Sequence, residues 1–137
     1  MTKPVVQTDE TIQVVNRDAE VWLAIQGYEG RYEVSNLGRV ASLNYARRKK
    51  RQVLKPRPER GYLKVSLTNK EHQSREWKIH QLVLLAFVGE RPKHLVTDHI
   101  NRVKTDNRLA NLRYVSRSEN ARNTDRYLFK QRTRESN

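Results

Sequence analysis

The alternation of apolar and polar positions predicts short strands in the first half of the chain and a buried helix near its middle. Tyr32–Ser35 and residues 39–43 flank the turn-forming stretch 36–38, which predicts a β-hairpin. Residues 61–67 alternate with period two, which predicts a strand that pairs with residues 75–79. Residues 80–88 are too apolar for an exposed face and predict a short buried helix that ends at Gly89.

The last third of the chain predicts a strand, a long polar loop, a second strand and a helix. The strand candidates are residues 95–100 and 112–115. Ser116 and Glu119 have capping-box spacing, so a helix should start there and run through Asn120. We therefore expect an α+β protein with a small N-terminal antiparallel sheet followed by a strand-strand-helix unit. The expected divisions are a flexible segment 1–18, a β-rich module 19–77, a second domain 78–126 and a basic tail 127–137.

Charge points to a nucleic-acid partner. The 137 residues include 28 Lys and Arg against 15 Asp and Glu, a net charge of +13. Such an excess attracts polyanions. A membrane surface is the alternative, but no apolar run approaches the roughly 18–20 residues that span a bilayer. There is no cysteine, which fits a reducing cytoplasm and leaves oxygen and imidazole groups to hold a hard ion such as Mg²⁺.

Candidate chemistry lies between residues 98 and 120. Asp98 and Asn120 offer oxygen ligands of the type that Mg²⁺ takes. His99 has the side chain best suited to remove a proton from water near pH 7. Asn111 can fix the loop and the orientation of the imidazole ring without binding the metal itself. Neighbouring strand residues face opposite sides, so Asp98 and His99 share one site only if the strand ends there.

These residues resemble the HNH nuclease family, in particular its phage and intron-encoded homing endonucleases. The resemblance covers roughly residues 78–124, with eleven residues between His99 and Asn111 and eight between Asn111 and Asn120. It implies a ββα-metal motif in which His99 is the general base, Asp98 and Asn120 bind a divalent metal (Mg²⁺, with Mn²⁺ as a substitute), and Asn111 supports the histidine. One departure is Arg102, where the family loop often carries Gly.

The run 20–43 resembles the nuclease-associated modular motif that precedes HNH segments in these enzymes. It contains Trp22, a Gly27-Tyr28-Glu29-Gly30 turn and the stretch 32–40. The resemblance implies a phage or mobile-element protein that acts in the cytoplasm of a bacterial host, as a monomer or a homodimer, on double-stranded DNA.

Several cations are candidates for contact with DNA phosphates, although a charged run is by default a solvated loop: Arg47, Arg48, Lys49, Lys50, Arg51, Arg117, Arg122 and Arg126. A purely structural role is preferred for four other residues. Asn101, Asp106 and Asn107 are typical turn formers, and His80 is expected to be a core or helix-capping residue.

The function that these features favour is metal-dependent hydrolysis of DNA phosphodiester bonds, by nicking or by double-strand cleavage. Two alternatives stay open: a non-catalytic DNA-binding protein that retains the same fold, and an RNA-binding accessory protein. The net charge alone does not separate the three, because each of them binds a polyanion.

Overall fold

The computed structural model describes residues 19–122, in which three antiparallel sheets pack around one helix. Their order along the chain is β1 (Trp22–Ala24), β2 (Tyr32–Ser35), β3 (Val40–Ser42), β4 (Gln52–Val53), β5 (Arg57–Glu59), β6 (Tyr62–Thr68), β7 (Ser74–Lys78), α1 (Ile79–Phe87), β8 (Leu95–His99), β9 (Leu112–Ser116) and α2 (Arg117–Arg122). Short 3-10 helices lie at Tyr45–Arg47 and Leu109–Asn111. No helix within 19–122 is long and apolar enough to cross a membrane. The α+β expectation is confirmed.

Helix α1 forms the centre of the core. Its side chains at Leu82, Val83 and Leu84 are fully buried, and it contacts strands of all three sheets. The sheets are β1-β2-β3-β4, β5-β6-β7 and β8-β9. The helix ends at Phe87, and Gly89 follows with a φ of +132°, as the predicted stop requires. This helix therefore ties the N-terminal sheets to the β8–β9 hairpin.

The predicted hairpins are present with small shifts at their ends. Strands β2 and β3 pair around residues 36–39, and β6 pairs with β7 over the stretch whose period-two pattern predicted it. Val65 and Leu67 are buried, whereas Ser66 on the other face is exposed. Strands β4 and β5 were not expected. The cationic run and the prolines after it predict a loop over this whole segment.

Candidate active site

The β8–β9 hairpin places the candidate histidine at a strand end. Asp98 pairs with Arg113 across the hairpin, His99 pairs with Leu112, and β8 stops at His99. Asp98 and His99 are 3% and 8% exposed, so both neighbours are buried although a continuing strand would turn one of them outward. The strand ends where the expectation required it to end.

The His99 ring is fixed by a side-chain amide. Its Nε2 lies 2.9 Å from Oδ1 of Asn107, which is 4% exposed. Because an amide oxygen only accepts, the ring donates through Nε2–H, and Nδ1 keeps the lone pair that can take a proton. Such a partner fixes both the tautomer and the orientation of a catalytic imidazole.

Two other rings lie beside His99, and two lysines lie over one of these rings. The ring centroid of His80, at the start of α1, lies 5.0 Å from that of His99, and the Tyr62 ring lies 6.0 Å away. Burial, followed by the charges of His99 and Lys78, lowers the pKa of His80 to about 3. The Nζ atoms of Lys78 and Lys104 lie 4.8 and 4.9 Å from the Tyr62 ring centroid. His80 is thus a neutral core residue, as expected, in an electropositive setting.

Asn111 holds the loop between the two strands. Its amide accepts from the Asn101 backbone N–H at 2.9 Å and donates to Oδ1 of Asn101 and the carbonyl of Asp106, both at 2.9 Å. The Asp106 carboxylate accepts from Arg108 and Asn101 at 2.8 Å, and the bond from Arg108 does most to lower its pKa to about 2. Asn111 therefore has the contacts of a loop-fixing residue; its part in catalysis stays a prediction.

The two predicted metal ligands lie on neighbouring elements. The Asp98 carboxylate is buried and accepts a hydrogen bond at 2.9 Å from Nε of Arg113. Helix α2 packs against β8 and β9 and carries the half-buried Asn120. Its start is fixed as predicted, because Ser116 and Glu119 bond reciprocally: Ser116 Oγ accepts from Glu119 N at 3.2 Å.

The donor chemistry fits a hard cation that keeps most of its water. Within residues 19–122, no three His, Cys, Asp or Glu side chains form a metal site. A carboxylate from Asp98 and an amide oxygen from Asn120 are a minimal oxygen pair of the kind that Mg²⁺ accepts, with water and substrate completing the shell. Their joint role as ligands stays a prediction.

The candidate DNA-contacting cations fall into two groups. Arg47, Arg48, Lys49 and Lys50 are exposed on the segment that follows β3. Arg51 is exposed too, but its guanidinium lies 4.3 Å from the Trp22 ring centroid and 3.6 Å from Glu33. Two further candidates lie on α2, Arg117 and Arg122, of which Arg117 is exposed. Arg126 lies outside the described residues.

Two family models match the chain, one on each part. A model described as HNH endonuclease matches residues 78–122, and the NUMOD4 motif matches residues 20–68. Residues 78–122 belong to the HNH endonuclease family. The HNH match contains every candidate catalytic and metal-binding residue.

Curated relatives and a solved structure agree with this assignment. The chain is 35% identical over 102 residues to the DNA endonuclease I-HmuI of Bacillus phage SP01, covering 74% of this chain and 56% of that protein. It is 37% identical over 110 residues to an uncharacterised HNH endonuclease of Acanthamoeba polyphaga mimivirus, covering 77% and 26%. A structure titled as DNA binding and cleavage by the HNH homing endonuclease I-HmuI matches with a TM-score of 0.66 at 34% identity, covering 75% and 56%. The chain thus spans about half of one relative and a quarter of the other.

In the loop between β8 and β9, which we call the HNH loop, residue 102 is Arg where the family often has Gly. Arg102 has a φ of +64°, in the left-handed region where glycine is favoured. The Asn101 side chain accepts from Val103 N at 2.9 Å and closes the same turn. The backbone thus keeps a conformation that suits Gly, although the side chain differs.

Sequence reasoning missed Asn107, whose side chain is hydrogen-bonded to His99. The sequence predicts Asn107 only as a turn former, because Asn next to Asp is common in turns. It assigns Tyr62 only to a strand face and gives no role to Lys78 or Lys104. No spacing rule links Tyr62 to His99 across 37 positions. Only the fold brings the N-terminal strand β6 to the HNH histidine.

Proposed function

We propose that this chain is a metal-dependent DNA endonuclease in which His99 is the general base. The observation that carries the proposal is the His99 imidazole, buried at the end of β8 beside Asp98 and bonded through Nε2 to Asn107. An imidazole that donates through Nε2–H has its basic lone pair on Nδ1, which is the atom that would take a proton from water. The attack on the phosphate would then proceed in line from that water.

Asp98 and Asn120 would hold one divalent cation, Mg²⁺, which Mn²⁺ could replace. When bound, such an ion stabilises negative charge that develops on the phosphate and on the leaving 3′ oxygen. Arg113 orients the Asp98 carboxylate through its 2.9 Å hydrogen bond. Asn111 would not contact the substrate. It would hold in place the loop that carries Asn107.

The proposed substrate is double-stranded DNA. A net charge of +13 favours binding to the phosphate backbone. The homologue I-HmuI binds and cleaves DNA, and we extend that activity to this chain as a homing-type enzyme in the bacterial host of a phage. The one HNH match, at residues 78–122, favours nicking by a monomer, whereas a homodimer would cut both strands.

A second candidate function is DNA binding without cleavage. The ion pair between Arg113 and Asp98 favours it, because a carboxylate already engaged by a cation has less need of a metal. This arrangement would leave the fold and the basic surface intact.

Cleavage of supercoiled plasmid by the purified chain with Mg²⁺ separates the two candidates. We expect nicked product, and His99→Ala should reduce the rate by about 10²–10⁴-fold, the usual worth of a general base. DNA affinity should hardly change. Binding without any cleavage would favour the second candidate, and undiminished cleavage by His99→Ala would remove His99 from the base role.

A further inference from the structure

The turn between β2 and β3 lies against the loop that holds the HNH histidine. Gly38 in this turn has a φ of +86°, and a Cβ placed on it would lie 2.9 Å from the Asn107 carbonyl oxygen and 3.0 Å from the Asn107 Cβ. Two atoms at so short a separation force one of them to move. The absence of a side chain at Gly38 is therefore what allows Asn107 to occupy its position.

The same turn is bonded to the loop and to the first strand region. The carbonyl of Asn36 accepts from Leu109 N at 2.8 Å. The Asn36 side chain accepts from Val21 N at 2.7 Å and donates to the Ala19 carbonyl at 3.0 Å. The β2–β3 turn thus contacts the loop backbone at residue 107 and is hydrogen-bonded to it at residue 109. The segment that holds it lies in the NUMOD4 match rather than in the HNH match.

Asn107 connects this turn to the chemistry. Its backbone rests on Gly38, and its side chain holds Nε2 of His99 at 2.9 Å. A displacement of about 1 Å in a catalytic group can cost about 10²-fold in rate. A shift forced on Asn107 at the turn would be passed to the imidazole through this hydrogen bond.

We propose that the β2–β3 turn is a positioning element for His99, and that Gly38 is a positioning residue that acts through Asn107. The NUMOD4 segment would then complete the active site in addition to any contact with DNA. This inference rests on the proposed role of His99 as the base.

The test compares Gly38→Ala with Gly30→Ala in the full chain. Gly30 also has a positive φ, +81°, but a Cβ there would meet nothing within 4 Å. Both variants carry the same kind of backbone strain, so their difference reports the close approach to Asn107. For Gly38→Ala we expect a loss in kcat of about tenfold or more, with KM for DNA nearly unchanged. Gly30→Ala should cleave almost as the parent does.

A double-mutant cycle with Asn107→Ala tests the route. If Gly38 acts through Asn107, adding Gly38→Ala to Asn107→Ala should cost little more, whereas independent effects would multiply. Multiplying losses, or equal losses in Gly38→Ala and Gly30→Ala, would overturn the inference. If Gly38→Ala does not fold, Asn36→Ala takes its place in the test. This variant removes the side-chain hydrogen bonds of the turn to Val21 and Ala19 without adding an atom. An unchanged kcat in a folded Asn36→Ala would count against the inference.

The imidazole NMR signals of His99 separate this inference from the nuclease proposal. They report tautomer and hydrogen bonding whether or not the chain cleaves DNA. A shift in Gly38→Ala that is absent in Gly30→Ala supports the positioning role even in an inactive protein. Unchanged signals in a folded Gly38→Ala would contradict that role even in an active one.

Discussion

At the scale of single residues, one amide determines which nitrogen of His99 carries a proton. Asn107 lies within the polar stretch 106–108, where its composition indicates only a turn. In the fold its side chain is buried and bonded to the ring. Sequence alone identified His99, Asp98 and Asn120 as candidates, because their residue types and spacing match a family motif. It could not identify Asn107, whose bond to the ring depends on how the loop is held.

Removing that amide should weaken cleavage without weakening DNA binding. Asn107→Ala should lower kcat by about 10–100-fold, the usual effect of losing a group that orients a catalytic side chain. Asn107→Asp should retain more activity than Asn107→Ala, because a carboxylate still accepts from Nε2–H. Plasmid nicking measured beside DNA affinity checks both variants. Equal rates for Asn107→Ala and the parent would show that the hydrogen bond has no catalytic role.

The metal ligands make a prediction with three variants. Asp98→Ala removes the only charged ligand of the proposed pair, so Mn²⁺ binding by calorimetry and cleavage should both fall sharply. Asn120→Ala removes a neutral oxygen that water can replace, so its defect should be milder and partly rescued by more metal. Asn120→Asp should retain binding.

Two controls accompany this series. EDTA should abolish cleavage by the parent, and thermal unfolding should show that each variant is folded. Arg113 loses its partner in Asp98→Ala, but its side chain is 45% exposed and water can solvate it. Parental metal affinity in both alanine variants would mean that the ligands are assigned wrongly.

At the scale of elements, the sequence predicted best where a pattern repeats several times. Strand β6 and helix α1 follow period two and a continuous apolar run, and both formed at the expected places. Strand β5 was missed because Pro58 lies within it. The sheet order β5-β6-β7 makes β5 an edge strand, where the missing N–H of proline costs no ladder bond. Two- and three-residue strands carry too few positions for a period to be recognised.

Helix α1 carries a buried histidine that should make stability depend on pH. The pKa of His80 is about 3 in the folded chain, against an ordinary value of 6.5, mainly because burial disfavours its charged form. The charged and titratable groups around it are His99, Lys78 and Tyr62. Below pH 6.5 the unfolded chain binds a proton at this position and the folded chain does not, so stability falls as pH is lowered towards 3.

This pH dependence is measurable with one substitution. Each pH unit between 6.5 and 3 should cost at most about 1.4 kcal/mol from His80, so its contribution to the fall in the free energy of unfolding between pH 6.5 and 5 should not exceed about 2 kcal/mol. His80→Leu fills a similar space and cannot titrate, so its stability should fall less over that interval. Parallel curves for the parent and His80→Leu would show that His80 titrates normally.

At the scale of the whole molecule, the parts matched by NUMOD4 and by HNH share one core. Helix α1 lies in the HNH match yet contacts strands β1, β2 and β6 of the NUMOD4 match. Lys104 of the HNH loop lies over Gly61, where a Cβ would be 3.3 Å from its Cδ. Because the two parts are packed together, charges on the N-terminal part would act on a duplex bound at the proposed site of His99.

The cations after β3 should therefore contribute to DNA binding, but not all alike. Arg47, Arg48, Lys49 and Lys50 are exposed, whereas Arg51 is engaged by Trp22 and Glu33. Replacing residues 47–50 with Gln should lower the slope of log affinity against log salt by about 0.9 for each phosphate that the chain no longer neutralises. Arg51→Gln alone should lower the thermal stability, because it removes the stacking on Trp22, and it should leave the salt slope of DNA binding nearly unchanged.

Two exposed lysines elsewhere provide the control for charge alone. Lys70 and Lys93 lie in two other turns of the chain, and replacing both with Gln removes the same charge as replacing Lys49 and Lys50. If the segment contacts the duplex, the Lys49 and Lys50 pair should lower the salt slope and the Lys70 and Lys93 pair should leave it nearly unchanged. Equal changes would mean that net charge alone attracts DNA. An unchanged slope after all four replacements at 47–50 would mean that this segment is a solvated loop, and that the duplex is held by other cations.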